Sequence, residues 1–518
     1  MIRYSLLFSL LICSSLYSQT NVDFQDYLQQ REALMQQDSL NFMSRNTLLS
    51  AEEKLLDQKM KEYQRTMLET YKSEHFFPPA RNFYQSKEHI ENNPFFSLIQ
   101  SMPKGGILHL HDLAMTNVDW IVDKAIKTPE MHVFWEEDSK VNIKGKMYAF
   151  EIGKAPKGFY PAKKLSQKNP NFRQELRSLI TFDETIDKDS VDIWYEFEAI
   201  FDRVYGFCYY KPVFGEYFYQ GLKDHIEDNI QHVELRGRYD EHLYTLESAS
   251  TPHAEVMAIV REAYDKAKKL DPDFSLSLIW ANLRFLDKDL IFKDMFAALE
   301  AHKKDPDFIK GYDLVAEEDN GNPTLYHAEG FLKLNKAIQE ENLDFHLYLH
   351  DGESSWMHVS NMYDAVLLGS KRIGHGFNLF RFPQLMELVK EKGICIEISP
   401  LSNQILGYVR DLRMHPASTY IRSGLEVVIS SDDPQLFDYK GLSYDFWVAY
   451  MAWELDLATL KELCKNSLEH AALSDGEKEK AMKAWENRWQ GFVSDALVNW
   501  ERNSNNTYLR KMKSTEKE

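Results

Sequence analysis

Eight short apolar runs recur along the chain, each ending in polar residues and followed by a stretch of helical periodicity. They span 106–111, 230–236, 276–284, 311–317, 345–350, 372–375, 393–399 and 425–432. Eight β units alternating with amphipathic helices predict a (β/α)8 barrel of the TIM type, an α/β fold whose functional side chains gather at the C-terminal ends of the strands. The polar residues that close the runs fall where that rule needs them. Ahead of the first run, residues 19–100 are rich in Gln, Glu, Lys, Leu and Met and poor in glycine. Helical spacing through Leu55, Leu56, Met60, Tyr63 and Met67 marks this segment as an N-terminal helical arm. It either packs on the main domain or serves dimerisation. Between the first and second runs, residues 124–187 are Lys-rich, contain Pro and show weak periodicity, as in an inserted lobe. The barrel domain is expected over 101–500, with a polar tail at 501–518.

Residues 1–18 break this pattern. Arg3, an apolar run over 6–12, and small or polar residues to Ser18 read as a cleaved secretory signal. The run is too short to span a bilayer. Cys13 follows Leu11-Ile12, where a lipid-attachment cysteine would follow a small residue, so no stable membrane anchor is expected. The expected location is secreted or periplasmic.

With 61 Lys and Arg against 80 Asp and Glu, the net charge is −19. That excludes a nucleic-acid backbone as partner, because phosphate binding needs clustered cations. Once the leader is removed, Cys208, Cys395 and Cys464 remain, enough for at most one internal disulfide. The chain has no paired C-x-x-C motifs, no HExxH helix and no phosphate-binding glycine loop.

Candidate chemistry sits at the ends of the runs. In Gly106-Ile107-Leu108-His109-Leu110-His111, the two histidines share one face of a strand, either as a metal-ligand pair or as hydrogen-bonded core residues. The fifth run ends in His350-Asp351-Gly352-Glu353. His350 is placed as a third ligand, and Glu353 either enters the pocket or caps a helix N-terminus. His375 lies between two glycines, which favours a functional imidazole over core packing. The eighth run ends in Ser431-Asp432-Asp433-Pro434. Two adjacent acids at a buried strand end need a cation or a proton, unless they form an Asx turn before Pro434. Together these supply three histidines and an aspartate for a metal, with His375, Glu353 and Asp433 to spare.

Several motifs share a source. They are Met102-Pro103-Lys104-Gly105-Gly106 with His109-Leu110-His111-Asp112, Gly311-Tyr312-Asp313-Leu314-Val315, Arg372-Ile373-Gly374-His375-Gly376-Phe377, Ile398-Ser399-Pro400-Leu401-Ser402-Asn403-Gln404, Ser430-Ser431-Asp432-Asp433-Pro434 and Gly441-Leu442-Ser443-Tyr444-Asp445-Phe446. As a set they resemble the adenosine deaminase family of amidohydrolases and, within it, the secreted branch called adenosine deaminase-related growth factors. The resemblance implies one zinc ion per chain held by His109, His111, His350 and Asp432, and hydrolytic deamination of adenosine and 2′-deoxyadenosine to inosine. In this scheme Glu353 gives a proton to purine N1 as hydroxide attacks C6. His375 orients the water as base or electrostatic partner, Asp433 bonds N7, and the Gly352 N–H meets N3. Asp112, Trp194 and Glu198 are expected near the ribose, with an ordinary core aromatic as the other reading of Trp194. A homodimer is the family's implied assembly.

Two positions depart from the family. Asp351 stands where an alanine is usual, and Leu283 where the secreted branch carries a histidine, which leaves room for another aminopurine substrate. The lobe lacks the cysteine pair of animal members, so receptor binding is not carried over. A barrel used only as an extracellular binding or signalling scaffold is the remaining alternative.

Overall fold

The computed structural model describes residues 23–136, 143–183, 192–240 and 242–504. The leader expected at 1–18 and residues 505–518 of the tail lie outside the described residues. So do residues 137–142 and 184–191, which include parts of the expected lobe.

The described residues form twelve strands: β1 Gly105–His111, β2 Met131–Phe134, β3 Met147–Ala149, β4 Phe159–Pro161, β5 Ile230–Gly237, β6 Ser275–Leu283, β7 Ile309–Val315, β8 His346–Leu347, β9 His350–Asp351, β10 Arg372–His375, β11 Cys395–Ile398 and β12 Val427–Ile429. One parallel ladder runs β1-β5-β6-β7-β8 and a second runs β9-β10-β11-β12. The fifth predicted run, expected as one strand over 345–350, is split into β8 and β9. Its pairing passes there from one neighbour to the other: Tyr348 N–H donates to Tyr312 O on the β7 side, and Gly374 N–H of β10 donates to Leu349 O. On the far side, Leu110 bridges to Asp432 in parallel, with His111 N–H on Asp432 O and Asp432 N–H on His109 O, both at 3.2 Å. These contacts close eight parallel strands into a barrel.

Helices cover the outside, so the strands are buried on both faces; β5 is buried along its whole length. The interior is not the aliphatic filling usual in such barrels. Glu234 and Arg236 of β5, Asp313 of β7, Arg372 of β10 and Glu397 of β11 all lie inside with no exposed surface. An ionic cluster of this kind is retained only when each charge is paired and hydrogen-bonded.

The arm is helical, as its periodicity predicts. The helix Ala51–Ser73 starts with a capping box, Ser50 Oγ accepting from Glu53 N–H and Glu53 accepting from Ser50 N–H. It buries Leu56, Met60, Tyr63 and Met67, while Leu55 faces solvent. Gln64 ties this face to the barrel domain by donating to Tyr450 O at 2.8 Å. Between β1 and β5 the chain makes an antiparallel sheet, β3-β2-β4, with several helices around it.

Asp445, at the start of the helix Ser443–Ala452, accepts from Leu401 N–H at 3.2 Å and from Tyr439 O–H at 2.8 Å. Burial pushes its carboxyl up to about 8, against the pull of those donors. An acid whose folded pKa is raised stabilises the fold when protonated, and that contribution is lost as pH rises through the folded value. Stability is therefore expected to fall between about pH 4 and pH 8 on account of this group. Asp445→Asn should flatten the fall, as measured by urea unfolding across that window; an unchanged slope would remove Asp445 as its source.

Candidate metal centre and active site

β1 carries His109 and His111 on one face, as alternation requires. Their Nε2 atoms lie 3.1 and 3.2 Å from Asp432 Oδ1 at the end of the eighth barrel strand. His350 Nε2 is 3.3 Å from His111 Nε2. Ligands at 2.0–2.1 Å on a tetrahedral ion stand roughly 3.3–3.4 Å apart, so this spacing suits two donors to one metal. His109 Nδ1 is 2.9 Å from Glu397 Oε2, and His350 Nδ1 is 2.6 Å from Asp313 Oδ2. Both carboxylates are held ionised. Burial pushes them up, but arginines outweigh it at Glu397, and His350 with Arg236 does so at Asp313. An ionised carboxylate accepts, so each ring carries its proton on Nδ1 and turns the bare Nε2 inward.

Several buried polar atoms here lack a hydrogen-bond partner: His109 Nε2, His375 Nε2, Asp432 Oδ1, Glu353 Oε1 and Asp433 Oδ1. A cation and a bound polar ligand would satisfy them. Donor atoms of His109, His350, His375 and Asp432 lie within 4.8 Å of one another, and those of His111, Asp432 and Asp433 form a second, overlapping group. The residues therefore fit a divalent metal. His375 and Asp432 each hold φ at +63°, a conformation that non-glycine residues adopt at a cost of about 1–3 kcal/mol. Ser402 Oγ donates to Asp432 Oδ2 at 2.7 Å and steadies that carboxylate.

Beside this cluster lies a cavity of about 550 Å³, lined in part by Glu353, Asp433, Asp112, Trp194 and Leu283. Burial pushes the Glu353 carboxyl well above the usual range, with Asp432 and Glu318 adding repulsion. Burial and the neighbouring Asp432 do the same to Asp433. Both carboxyls face the cavity in surroundings that favour the protonated form, which can donate. Burial pushes Asp112 up to about 7; it accepts from Tyr209 O–H at 3.0 Å. Trp194 donates from Nε1 to the Tyr408 hydroxyl oxygen at 3.0 Å, and Glu198 lines the cavity from an exposed position.

Gly352 differs from expectation. Its N–H donates to Glu318 Oε2 at 3.0 Å and the residue does not line the cavity, so that amide is not free to meet a purine. Ala316, with φ at +85°, lines the wall instead. Asp351 points away from the cavity, accepting from Thr324 O–H near Arg284.

Sequence reading assigned no role to the residues that support the ligands. Arg236 donates to Asp313 Oδ2 and Glu397 Oε2 at 2.6 Å each, and Arg372 donates to Glu397 Oε1 at 2.6 Å and to Glu234. Glu318 holds the Gly352 and Glu353 amides. The available signal was charge within the apolar runs: Glu234, Asp313 and Glu397 lie inside them, Arg372 opens one and Arg236 closes another.

A closed (β/α)8 barrel with imidazoles and a carboxylate converging at its C-terminal strand ends defines a metal-dependent hydrolase of the amidohydrolase kind. Family profiles described as adenosine deaminase and as adenosine/AMP deaminase N-terminal match residues 161–485 and 6–99. Adenosine deaminase 2-A of Danio rerio is 32% identical over 487 residues, covering 90% of this chain and 94% of that one. Adenosine deaminase 2 of Homo sapiens is 32% identical over 464 residues, covering 85% and 86%. A solved amidohydrolase from Burkholderia ambifaria, with bound zinc, shares the fold at a TM-score of 0.54 and 18% identity, over 78% of this chain and 94% of that one. The chain belongs to the adenosine deaminase family.

Proposed function

We propose that the protein is a zinc-dependent adenosine deaminase, replacing the 6-amino group of adenosine and 2′-deoxyadenosine by oxygen to give inosine or 2′-deoxyinosine and ammonia. The observation that carries this reading is the candidate metal-ligand cluster on the same cavity as two buried carboxyls, Glu353 and Asp433. Attack at C6 of an aromatic amidine needs both an activated water and a proton for the ring nitrogen.

His109, His111, His350 and Asp432 would hold the metal; imidazole nitrogens with one carboxylate suit zinc. A zinc ion held there would supply Lewis acidity that lowers the pKa of water to about 7. Glu353 gives its proton to N1 as the C6–O bond forms, so negative charge does not build on the ring. Asp433 donates to N7 from its protonated carboxyl. His375 fixes the orientation of the attacking water. Water adds across the C6–N1 bond, and the C6–N6 bond then breaks with release of ammonia. Asp112, Trp194 and Glu198, which line the same cavity, are our assignment for the sugar contacts. Leu283 on the cavity wall is apolar where a polar ribose contact is expected, and it favours testing other aminopurines alongside.

The leader read at 1–18 supports export, and among the described residues no helix is long and apolar enough to cross a membrane. A homodimer is supported by the helix Phe24–Ser39. None of its residues is buried, yet Phe24, Tyr27, Leu34 and Met35 are exposed along it.

The test mixes purified protein with adenosine and follows the ultraviolet change to inosine. Turnover should disappear when a chelator strips the metal and return on adding zinc. A folded, zinc-loaded protein that leaves adenosine and free aminopurines untouched would refute the reading.

A further inference from the structure

We propose that His415, acting through Asn403, sets the tautomer of His375 and makes that ring a hydrogen-bond donor toward the attacking water. The inference deepens the deaminase reading and rests on it.

Ala417 N–H donates to His415 Nδ1 at 3.1 Å. A backbone amide can only donate, so Nδ1 is the bare nitrogen and a neutral His415 carries its proton on Nε2. That Nε2 is 3.0 Å from Asn403 Oδ1. The contact fixes which way the carboxamide faces, turning its NH2 group toward His375, whose Nδ1 lies 3.5 Å from Asn403 Nδ2. The NH2 group also only donates. His375 Nδ1 must therefore accept, and the ring proton sits on Nε2. That atom is buried without a partner, 4.0 Å from Asp432 Oδ2 and beside the candidate metal site.

Each link is buried. His415 and His375 are 1% exposed and Asn403 is fully buried. The His415 ring packs between Phe377 and Trp453, with centroids at 5.3 and 5.4 Å. Burial lowers its pKa to about 3, so it stays neutral, and its proton has one placement. The Asn403 side chain has no other hydrogen-bond partner than these two rings among the described residues. The relay therefore favours the Nε2–H form of His375. The ring acts as an electrostatic partner of the water and not as its base.

The test uses three variants of the zinc-loaded protein, with the His375 signals identified by their loss in His375→Asn. Asn403→Asp is isosteric but accepts at both oxygens, so it calls the His375 proton to Nδ1. The 15N shifts of the ring nitrogens in histidine-labelled protein should exchange their protonated and bare positions. The turnover number kcat should fall on the order of 100-fold, with KM within about 3-fold and bound zinc unchanged. His415→Met removes the donor and should lower kcat about 10-fold, whereas His415→Gln, which can still donate to Asn403, should return it to within about 3-fold of the native value. Unchanged His375 ring shifts in Asn403→Asp, or equal loss in the Met and Gln variants, would overturn the relay. A loss confined to zinc content or KM would do the same. The ring-nitrogen readout needs no substrate, so it stands even if native protein fails to deaminate adenosine and the functional reading falls.

Discussion

Glu353→Gln is expected to lower adenosine turnover on the order of 1,000-fold while the protein keeps its fold and its metal. The residue is 3% exposed, and burial, Asp432 and Glu318 all oppose ionisation of its carboxyl. Glutamine keeps the shape of the protonated acid and adds no charge. Its N–H can still donate toward the cavity, so substrate should bind nearly as well. What it cannot do is give up a proton as the C6–O bond forms. The loss should accordingly appear in kcat and kcat/KM together, with KM little changed. Absorbance kinetics, zinc analysis and a thermal melt on the same preparation check all three points. Full turnover in this variant would take the acid role from Glu353 and leave Asp433 as the next candidate.

Glu397→Gln should damage the protein by a different route, although Glu397 does not line the cavity. Its carboxylate accepts from His109 Nδ1–H at 2.9 Å, Arg236 at 2.6 Å and Arg372 at 2.6 Å, all with no exposed surface. Breaking one member of a buried ionic network leaves the others desolvated and short of a partner, a loss of about 3–5 kcal/mol. The amide also weakens the hold on the His109 ring, for which about a 10- to 100-fold loss of metal affinity is the usual scale. Denaturant unfolding of the metal-free protein reads the first effect, and competition for zinc against a chelator reads the second. A variant as stable as native in metal-free form would mean that the arginines repair the network with Glu234 and Asp313 alone.

The barrel and the candidate ligand cluster were legible in the sequence because both obey short-range rules. A strand ends where its apolar run ends, and His109 and His111 share a face at any register. Glu353 and Asp433 were legible as acids near strand ends, although their protonation follows from burial and from neighbours such as Glu318 and Asp432. The charged interior was not legible. Arg236 and Glu397 meet only because β1, β5 and β11 curve around one axis, which no local window contains. Gly352 was misplaced for a similar reason: its amide is claimed by Glu318, a residue on a different loop. Nor does periodicity distinguish the helix Ala51–Ser73, which packs on the barrel domain, from Phe24–Ser39, which buries nothing.

The seam that closes the barrel bears on when the site comes into being. Asp432 is both a ligand candidate and the residue whose backbone joins the last strand to the first. The carboxylate that orients His109 also arrives late, 288 residues further along the chain. During synthesis the first two histidines emerge long before either partner exists, and loop closure over such a distance is slow. Until β9 is made the nascent chain offers only the His-x-His pair, and His350 then adds a third donor with Glu397 and Asp432 still to come. Full affinity appears only when the final strand docks, so metal capture marks the end of folding and does not nucleate it.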